Sequence, residues 1–327
     1  MINVNPSKEF EMPEYLKEAV AGSREKDLRW LEPYEGKLSS TVPRGEFSGK
    51  YLSPLNSYSF KRIFGTEKNK DILIHFLNDI LGLTGEAKIK DVQFLNPIQN
   101  PDIAAKKESI VDVLCRDSKG VQTIVEMQVA RTTGFEKRAQ YYAAKAYSSQ
   151  ADVGGQYQDL KEVVFIAITD FILFPNKPEY KSDHVTLDRK TFEHDLKDFS
   201  FTFIELPKFP KTQEDQLENI VEKWCYFFKY ANKTSEEDLK KIIGSDEIIG
   251  RAYNELNQYS WTSEERAIYE QDKKREDDNF SCIMQSRIEG KIEGKIEVAK
   301  NLLKAGVSID LIAESTDLAI DEIEKLK

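Results

Sequence analysis

Cysteine and histidine are scarce in this chain, and several common catalytic signatures are missing. Its 327 residues include three cysteines and three histidines, all widely spaced, without a CxxC pair. This spacing argues against a disulfide framework and a structural zinc site, and it gives no sign of a catalytic triad. The GxxxxGK[ST] phosphate-binding loop is also absent, which leaves an ATPase without support.

Long apolar runs are missing as well. The longest, such as residues 163–168, are far too short to span a bilayer. No apolar segment of the signal-peptide type follows Met1, so we expect no secretory signal. The sequence therefore predicts a cytoplasmic protein with no membrane partner.

The chain has fewer basic residues than acidic ones, 47 against 57. Its net charge is −10, and proteins that coat DNA nonspecifically are more often basic, because they neutralise phosphates. A metal-dependent nuclease is still compatible with this charge, because a carboxylate metal site needs acids. The hydrophobic fraction of 40% and the aromatic fraction of 11% indicate a globular chain rather than a disordered one.

Composition divides the chain into four segments. Residues 1–50 read as an N-terminal extension that ends in a linker, and residues 51–232 read as the main domain. A charged helical region is expected over 233–286. A C-terminal helix and a small helix-turn-helix-like tail are expected over 287–327.

Hydrophobic periodicity predicts the elements of the main domain. A 3.6-residue period followed by Gly82 predicts a first helix, and alternating or continuous apolar runs predict strands. The expected order is helix 69–81, strands 89–94, 109–116 and 121–129, helix 135–150 and a buried strand over 163–168. Residues 117–120 form a hairpin turn signal. This αβββαβ order predicts an α/β fold, with a mixed sheet flanked by helices.

Three polar residues interrupt these apolar strands. Side chains alternate along a strand, so Glu126 and Gln128 share one face, and a short turn brings Asp112 opposite them. Two buried acids on adjacent strands would repel each other, and each would be costly to bury. A magnesium ion relieves both problems, because Mg²⁺ is bound by a few carboxylates and retained waters. The trio therefore indicates a candidate metal site.

The spacing of these residues also has an ordinary structural interpretation. Asp112 could pair with Arg116 or Lys119, and Glu126 could lie on an exposed face of the sheet. The pattern D-x(13)-E-x-Q is not a specific motif, so both interpretations stay open on spacing alone.

The helix after the hairpin has a second candidate feature. Arg138, Tyr141 and Lys145 fall on one side of it, where arginine is a fork donor suited to phosphate. The alternative is a solvated edge of an amphipathic helix.

The C-terminal segment contains a tandem Gly-Lys-Ile-Glu repeat. Ile288, Ile292 and Ile296 recur every four residues on a charged helix. This line predicts docking on a partner helix and hence a homo-oligomer, with packing inside the chain as the alternative. The tail beyond it resembles a small helix-turn-helix in length, which is a weak signal for DNA binding.

Several motifs, taken in order, resemble a known family. The chain is similar to the recombination-promoting nucleases, also called PD-(D/E)XK nuclease family transposases. The similarity covers roughly residues 51–327. It is carried by the segments SFKRIFG at 59–65, LIHFLN at 73–78, VDV at 111–113, VEMQ at 125–128, DFILF at 170–174, ELPKF at 205–209 and EKW at 222–224.

This resemblance implies a fold, an activity and site residues. The implied fold is a restriction-endonuclease-like PD-(D/E)XK core, and the implied activity is metal-dependent cleavage of DNA. Asp112 and Glu126 would be ligands of Mg²⁺, with Mn²⁺ as the alternative ion, and Gln128 would complete the catalytic set. The residues expected to contact the DNA are Lys61, Arg138, Tyr141 and Tyr142.

Two positions depart from the family pattern. An acid is usual where this chain has Ser57, and Gln128 stands where many PD-(D/E)XK enzymes have lysine. Glutamine can orient a water molecule or a phosphate, but it cannot supply the positive charge of lysine. These departures leave a second hypothesis, in which a catalytically weakened nuclease fold binds DNA or a protein partner.

Overall fold

The computed structural model describes residues 49–99, 109–151, 155–244 and 246–326, and these described residues belong to one unit. The predicted N-terminal extension lies outside the described residues, apart from Gly49 and Lys50. The predicted boundaries at 232/233 and 286/287 stay predictions. No helix in the described ranges is both long and apolar enough to cross a membrane.

A six-stranded mixed sheet organises this unit. Its spatial order is β1-β4-β5-β6-β8-β7. Strands β1, β4 and β5 pair antiparallel, β5, β6 and β8 pair parallel, and β7 pairs antiparallel with β8. The strands are β1 (Val92–Phe94), β4 (Val113–Asp117), β5 (Gln122–Gln128), β6 (Val163–Thr169), β7 (Lys181–Val185) and β8 (Phe199–Glu205), and a separate two-stranded ribbon holds β2 (Ile98–Gln99) and β3 (Ser109–Ile110).

Helices cover both faces of the sheet and form the C-terminal part of the chain. They begin where side chains cap them, as Asn56 does for the first helix and Thr262 for the longest. The helices are α1 (Ser57–Phe64), α2 (Lys70–Ile80), α3 (Phe135–Ser148), α4 (Ile220–Tyr230), α5 (Glu236–Ile243), α6 (Glu247–Glu255), α7 (Ser263–Lys304), α8 (Ile309–Thr316) and α9 (Ile320–Glu324).

The predicted αβββαβ order is confirmed as α2, β1, β4, β5, α3 and β6. The β4–β5 hairpin turns where expected, because Asp117 accepts hydrogen bonds from the amides of Lys119 and Val121, and Gly120 adopts a φ of 90°. The fully buried β6 matches the continuous apolar run. The fold class is therefore mixed α/β, as predicted.

Two predicted strands need correction. The strand expected over 89–94 begins only at Val92, because Asn78 of α2 holds both the amide and the carbonyl of Ile89. The strand expected over 109–116 is interrupted at residues 111 and 112, which separates β3 from β4. Asp112 therefore lies in a break between two strands, and not in the middle of one.

The two faces of the sheet pack against different layers. One face, here called the aromatic face, packs its aliphatic residues on α1, α2 and α4, whose large buried rings include Phe60, Phe64, Phe76, Trp224 and Phe228. The other, here called the α3 face, packs under α3, whose buried residues are Phe135, Ala139, Ala143 and Ala146. Small side chains let α3 lie close to the sheet.

Candidate active site

Asp112 and Glu126 face each other across the break before β4. The amide of Asp112 donates to Oε1 of Glu126 at 3.2 Å, and the amide of Met127 donates to Oδ2 of Asp112 at 3.0 Å. Each carboxylate thus accepts a main-chain hydrogen bond from the opposite strand. Val113 pairs with Val125 in the ladder, which places Asp112 opposite Glu126 as the hairpin geometry predicted.

The same hydrogen bonds explain why the strand is interrupted. In a regular continuation of this ladder, the amide of Met127 would pair with the backbone carbonyl opposite it, and the amide of Asp112 would point away from β5. Here each of the two amides donates instead to a carboxylate from the other side of the hairpin. Regular strand pairing is therefore lost at this point. In return, the two carboxylates are held in fixed positions, and both amides keep hydrogen-bond acceptors.

Glu126 and Gln128 continue the α3 face of β5, as side-chain alternation predicted. Gln128 donates from Nε2 to Oε2 of Glu126 at 3.0 Å. Its carbonyl oxygen accepts a hydrogen bond from Nη2 of Arg138 at 2.7 Å. Gln128 is therefore the link between the carboxylate on the sheet and a guanidinium on α3.

Arg138 is positioned by its own helix as well as by Gln128. Its guanidinium lies over the ring of Phe135, 4.9 Å from the centroid. Its Nε is buried and has no hydrogen-bond partner. A buried donor without a partner costs free energy. Arg138 therefore retains an unused donor next to the two acids.

Lys61 approaches the site from the other side of the sheet. It lies on α1, and its Nζ is 3.6 Å from Oδ1 of Asp112, with almost half of the side chain exposed. One turn earlier, the amide of Ser57 donates to a carboxylate oxygen of Glu276 on α7 at 3.2 Å. A carboxylate thus lies against the start of α1 at the position where Ser57 replaces the expected acid.

The charge state of the two acids reflects their burial. Burial, followed by the negative charge of Asp112, raises the pKa of Glu126 to about 8. Burial also raises the pKa of Asp112, although the amide of Met127 and the charge of Lys61 act in the opposite direction. Because burying two neighbouring negative charges is unfavourable, the pair favours binding a proton or a cation.

The acids fit a magnesium ion better than a zinc ion. Within the described part of the chain, no three His, Cys, Asp or Glu side chains converge on one metal position. Structural zinc usually needs four protein ligands, whereas Mg²⁺ binds to one or two carboxylates and keeps several waters. The pair Asp112 and Glu126 suits the second pattern, and a cation there would relieve the repulsion that raises the pKa of Glu126.

A cavity of about 450 Å³ lies at the start of α3, next to Arg138. Gly134 turns the chain into this helix with a φ of 77°, a conformation that favours glycine. Tyr141 is exposed and Tyr142 is half-buried in its wall. Burial, and after it the negative charges of Glu126 and Asp112, raise the pKa of Tyr142, against the positive charge of Arg138. The lining residues are Thr132, Thr133, Gly134, Phe135, Lys137, Arg138, Tyr141 and Tyr142.

The structure excludes the ordinary interpretations that spacing alone left open. Arg116 bonds to Gln93, and Lys119 reaches the backbone carbonyl of Glu86, so neither pairs with Asp112. Glu126 is 3% exposed and does not lie on a solvated face. Lys145, expected beside Arg138 and Tyr141, does not line the cavity.

Sequence patterns did not predict every participant. The amide of Met127 and the carboxylate of Glu276 act through main-chain contacts that no residue spacing reveals. The Thr132-Thr133-Gly134 loop was not singled out either, although a glycine directly before a helix is a recognisable signal.

Comparison with known proteins identifies the family. No curated protein and no solved structure matches the chain. The model of the family described as PD-(D/E)XK nuclease family transposase matches residues 54–286, which include Lys61, Asp112, Glu126, Gln128 and Arg138. Because the match spans most of the chain, the protein belongs to the PD-(D/E)XK nuclease family transposases.

Proposed function

We propose that this protein is a magnesium-dependent DNA endonuclease that hydrolyses phosphodiester bonds at Asp112, Glu126 and Gln128. Nucleases of this type generally use divalent metal ions, and the family implies a DNA substrate. The observation that carries the proposal is the pair of carboxylates, each anchored by the main chain of the other's strand. Such anchoring fixes both acids before any ligand arrives, as catalysis requires.

Asp112 and Glu126 are the residues that would hold Mg²⁺, with Mn²⁺ as the alternative ion. When bound, the ion would polarise a phosphoryl oxygen and lower the pKa of a bound water. Gln128 holds Glu126 in place through its amide nitrogen. Glutamine supplies orientation but no charge, so the cationic part of the site comes from its neighbours.

Lys61 and Arg138 supply that positive charge on opposite sides of the acids. Lys61 lies beside Asp112, and Arg138 reaches the site through Gln128. Arg138 keeps a buried donor for a phosphate oxygen. Tyr141 and Tyr142 offer rings on which unpaired bases can stack. These two cations lie at the place where DNA would bind, in a chain whose net charge is −10.

A plasmid-cleavage assay tests the proposal. Purified full-length protein is incubated with supercoiled DNA in Mg²⁺ or in EDTA, alongside Asp112→Ala, Glu126→Ala and the control Glu86→Ala. Glu86 is a fully exposed acid near the far end of β4. We expect wild type and the control to cut DNA only with the metal, and both site variants to be inactive. Equal cleavage by wild type and both site variants would exclude the proposed site.

A second candidate function is a catalytically weakened nuclease fold that binds DNA or a protein partner without cutting. The observation that favours it is Ser57, where an acid is usual, together with the neutral Gln128. Tight DNA binding without cleavage in Mg²⁺ or Mn²⁺ would support this function over the first.

A cytoplasmic location belongs to the same proposal. Cys115, Cys225 and Cys282 are all free thiols. Unpaired cysteines suit a reducing compartment, because oxidising compartments favour disulfides.

A further inference from the structure

The middle of α7 exposes an apolar stripe that the rest of the described chain does not cover. Ile288 is 50% exposed and Ile292 is 47% exposed, and every residue from 285 to 294 is exposed. Closer to the start of the helix, Tyr269 is buried in the main core. Beyond the stripe, Ala299 is buried beneath α8 and α9. The isoleucine stripe, defined as Ile288 and Ile292, therefore lies between two parts of the helix that other residues cover.

Charges of opposite sign flank the isoleucine stripe. Successive residues of an α-helix are about 100° apart, so residues four positions apart form a line along one side. The line just before the isoleucines is basic and is formed by Arg287, Lys291 and Lys295. The line just after them is acidic and is formed by Glu289, Glu293 and Glu297.

These lines would weaken a solitary helix. Like charges four residues apart each cost about 0.2–0.5 kcal/mol, and all charged pairs at this spacing within residues 287–297 are like-signed. No ion pair among the described residues involves Arg287, Lys291, Glu289 or Glu293. Of the basic line, Lys295 alone has an ion-pair partner among the described residues, Asp317.

Two glycines weaken the segment further. Gly290 and Gly294 lie in the helix interior, where each glycine costs about 1 kcal/mol relative to alanine. A Cβ atom at either position would meet no other atom within 4 Å, so the fold gives no packing reason for them. Residues 285–294 of this helix therefore lack both a covered face and an ion pair with any other described residue.

We propose that the isoleucine stripe packs against the same stripe of a second copy of this chain, with the two helices parallel. Ile288 and Ile292 would then be buried between the helices. The basic line of one copy would face the acidic line of the other along both edges of the contact. This pairing supplies opposite charges to Arg287, Lys291, Glu289 and Glu293, which have no ion-pair partner among the described residues.

The charge pattern selects the parallel arrangement over the antiparallel one. In a two-fold symmetric parallel pair, the two flanks of a helix meet the opposite flanks of its partner. In an antiparallel pair, each flank meets its own copy, which would place glutamates against glutamates and cations against cations. Only the parallel arrangement makes both edges complementary.

A matched pair of variants tests the surface. Ile288→Asp places a charge on the stripe, and Ser286→Asp places the same charge on the opposite side of the same turn. Sedimentation over a concentration series should show dimers for wild type and for Ser286→Asp, and monomers for Ile288→Asp. Circular dichroism checks that both variants keep their helices. A wild type that stays monomeric at every concentration, or an Ile288→Asp variant that dimerises like wild type, would overturn the proposal.

Disulfide trapping tests the orientation. In a Cys282→Ser background, Ile288→Cys and Ile292→Cys are oxidised separately, since the two remaining native cysteines are buried. A parallel pair brings each introduced cysteine opposite its own copy, so both variants should form covalent dimers. Cross-linking of only one variant, or of a mixture of the two but neither alone, would show an antiparallel pair and contradict the charge argument.

Discussion

The two faces of the sheet contain different kinds of residues. The aromatic face is closed by large rings that contact one another, such as Phe64 and Phe76 at 5.0 Å and Phe76 and Trp224 at 5.3 Å between centroids. The α3 face has buried rings too, such as Phe165 and Phe203, but the buried residues of α3 itself are mostly alanines, and the β5 row on this face, which begins at Gln122, ends in Glu126 and Gln128. The aromatic face buries no acid on β5, whereas the α3 face carries the buried carboxylate of Glu126 and its polar network at one end.

This difference separates stability from chemistry within a single sheet. The aromatic face buries large apolar area, which is the main source of stability. The α3 face buries a carboxylate whose pKa is raised to about 8, which costs stability and is characteristic of functional sites. Substitutions on the two faces should therefore have opposite consequences.

The largest expected effect lies on the aromatic face. Phe76→Ala should lower the free energy of unfolding by about 3–5 kcal/mol, because it leaves a cavity among buried rings. DNA cleavage per folded molecule should be unchanged. Urea denaturation measures the stability loss, and Phe192→Ala, at a largely exposed ring, is the control. A loss of cleavage in folded Phe76→Ala would mean that the faces are not separate.

Asp112→Asn should lower DNA cleavage and leave the stability of the fold nearly unchanged. The variant keeps an oxygen for the amide of Met127 but loses the charge needed to hold a cation. We expect cleavage to fall roughly 10²–10³-fold, the usual cost of losing a charge-stabilising group. The free energy of unfolding should change by less than about 1 kcal/mol. A variant that unfolds instead would show that the site also stabilises the fold.

Glu126→Gln should alter how stability depends on pH. A carboxyl group whose pKa is raised on folding stabilises the protein below its usual pKa, and this stabilisation is lost as pH rises through the folded value. Wild type in EDTA should therefore lose a few kcal/mol of stability between about pH 5 and pH 9, around the pKa of about 8.

Glu126→Gln has no such group and should show a flatter pH profile. Urea denaturation at several pH values makes the comparison, and Mg²⁺ should restore the stability of wild type at pH 9. If the stability of both proteins changed with pH in the same way, Glu126 would not be the buried acid whose pKa is raised.

The smallest expected effect belongs to Gln128→Leu. Gln128 orients Glu126 without contributing charge, and loss of such an outer partner usually weakens metal affinity about 10–100-fold. The control is Gln122→Leu, at a buried glutamine on the same face of β5 but at its opposite end. Calorimetric titration with Mn²⁺ should separate the two variants. Equal affinities would remove the orienting role of Gln128.

The sequence predicted the centre of the fold better than its edges. The continuous apolar run of β6 and the periodicity of α2 led directly to the right elements. Strand β8 was not predicted, although Phe199, Phe201 and Phe203 alternate with smaller polar residues. Strand β7 contains charged and half-exposed residues at the sheet edge, so it has no clear apolar pattern.

Around the candidate site, the sequence predicted the relative positions of the three side chains but not the course of the backbone. Alternation along β5 correctly placed Glu126 and Gln128 on one face, and the turn length placed Asp112 opposite them. The strand break could not be predicted, because residues 109–116 are rich in strand-forming types and the break involves main-chain amides that donate to side-chain carboxylates. Lys61 was suggested only by family resemblance, because α1 and β4 are far apart in sequence.

Metal binding at the carboxylate pair is the most direct test of the central claim. Titration of the full-length protein with Mn²⁺ in the presence of DNA should show one site per chain in wild type. Binding should be lost in the double variant Asp112→Asn with Glu126→Gln, which keeps the shape of both side chains. Binding of equal strength in wild type and the double variant, or none in wild type, would contradict a metal centre at Asp112 and Glu126.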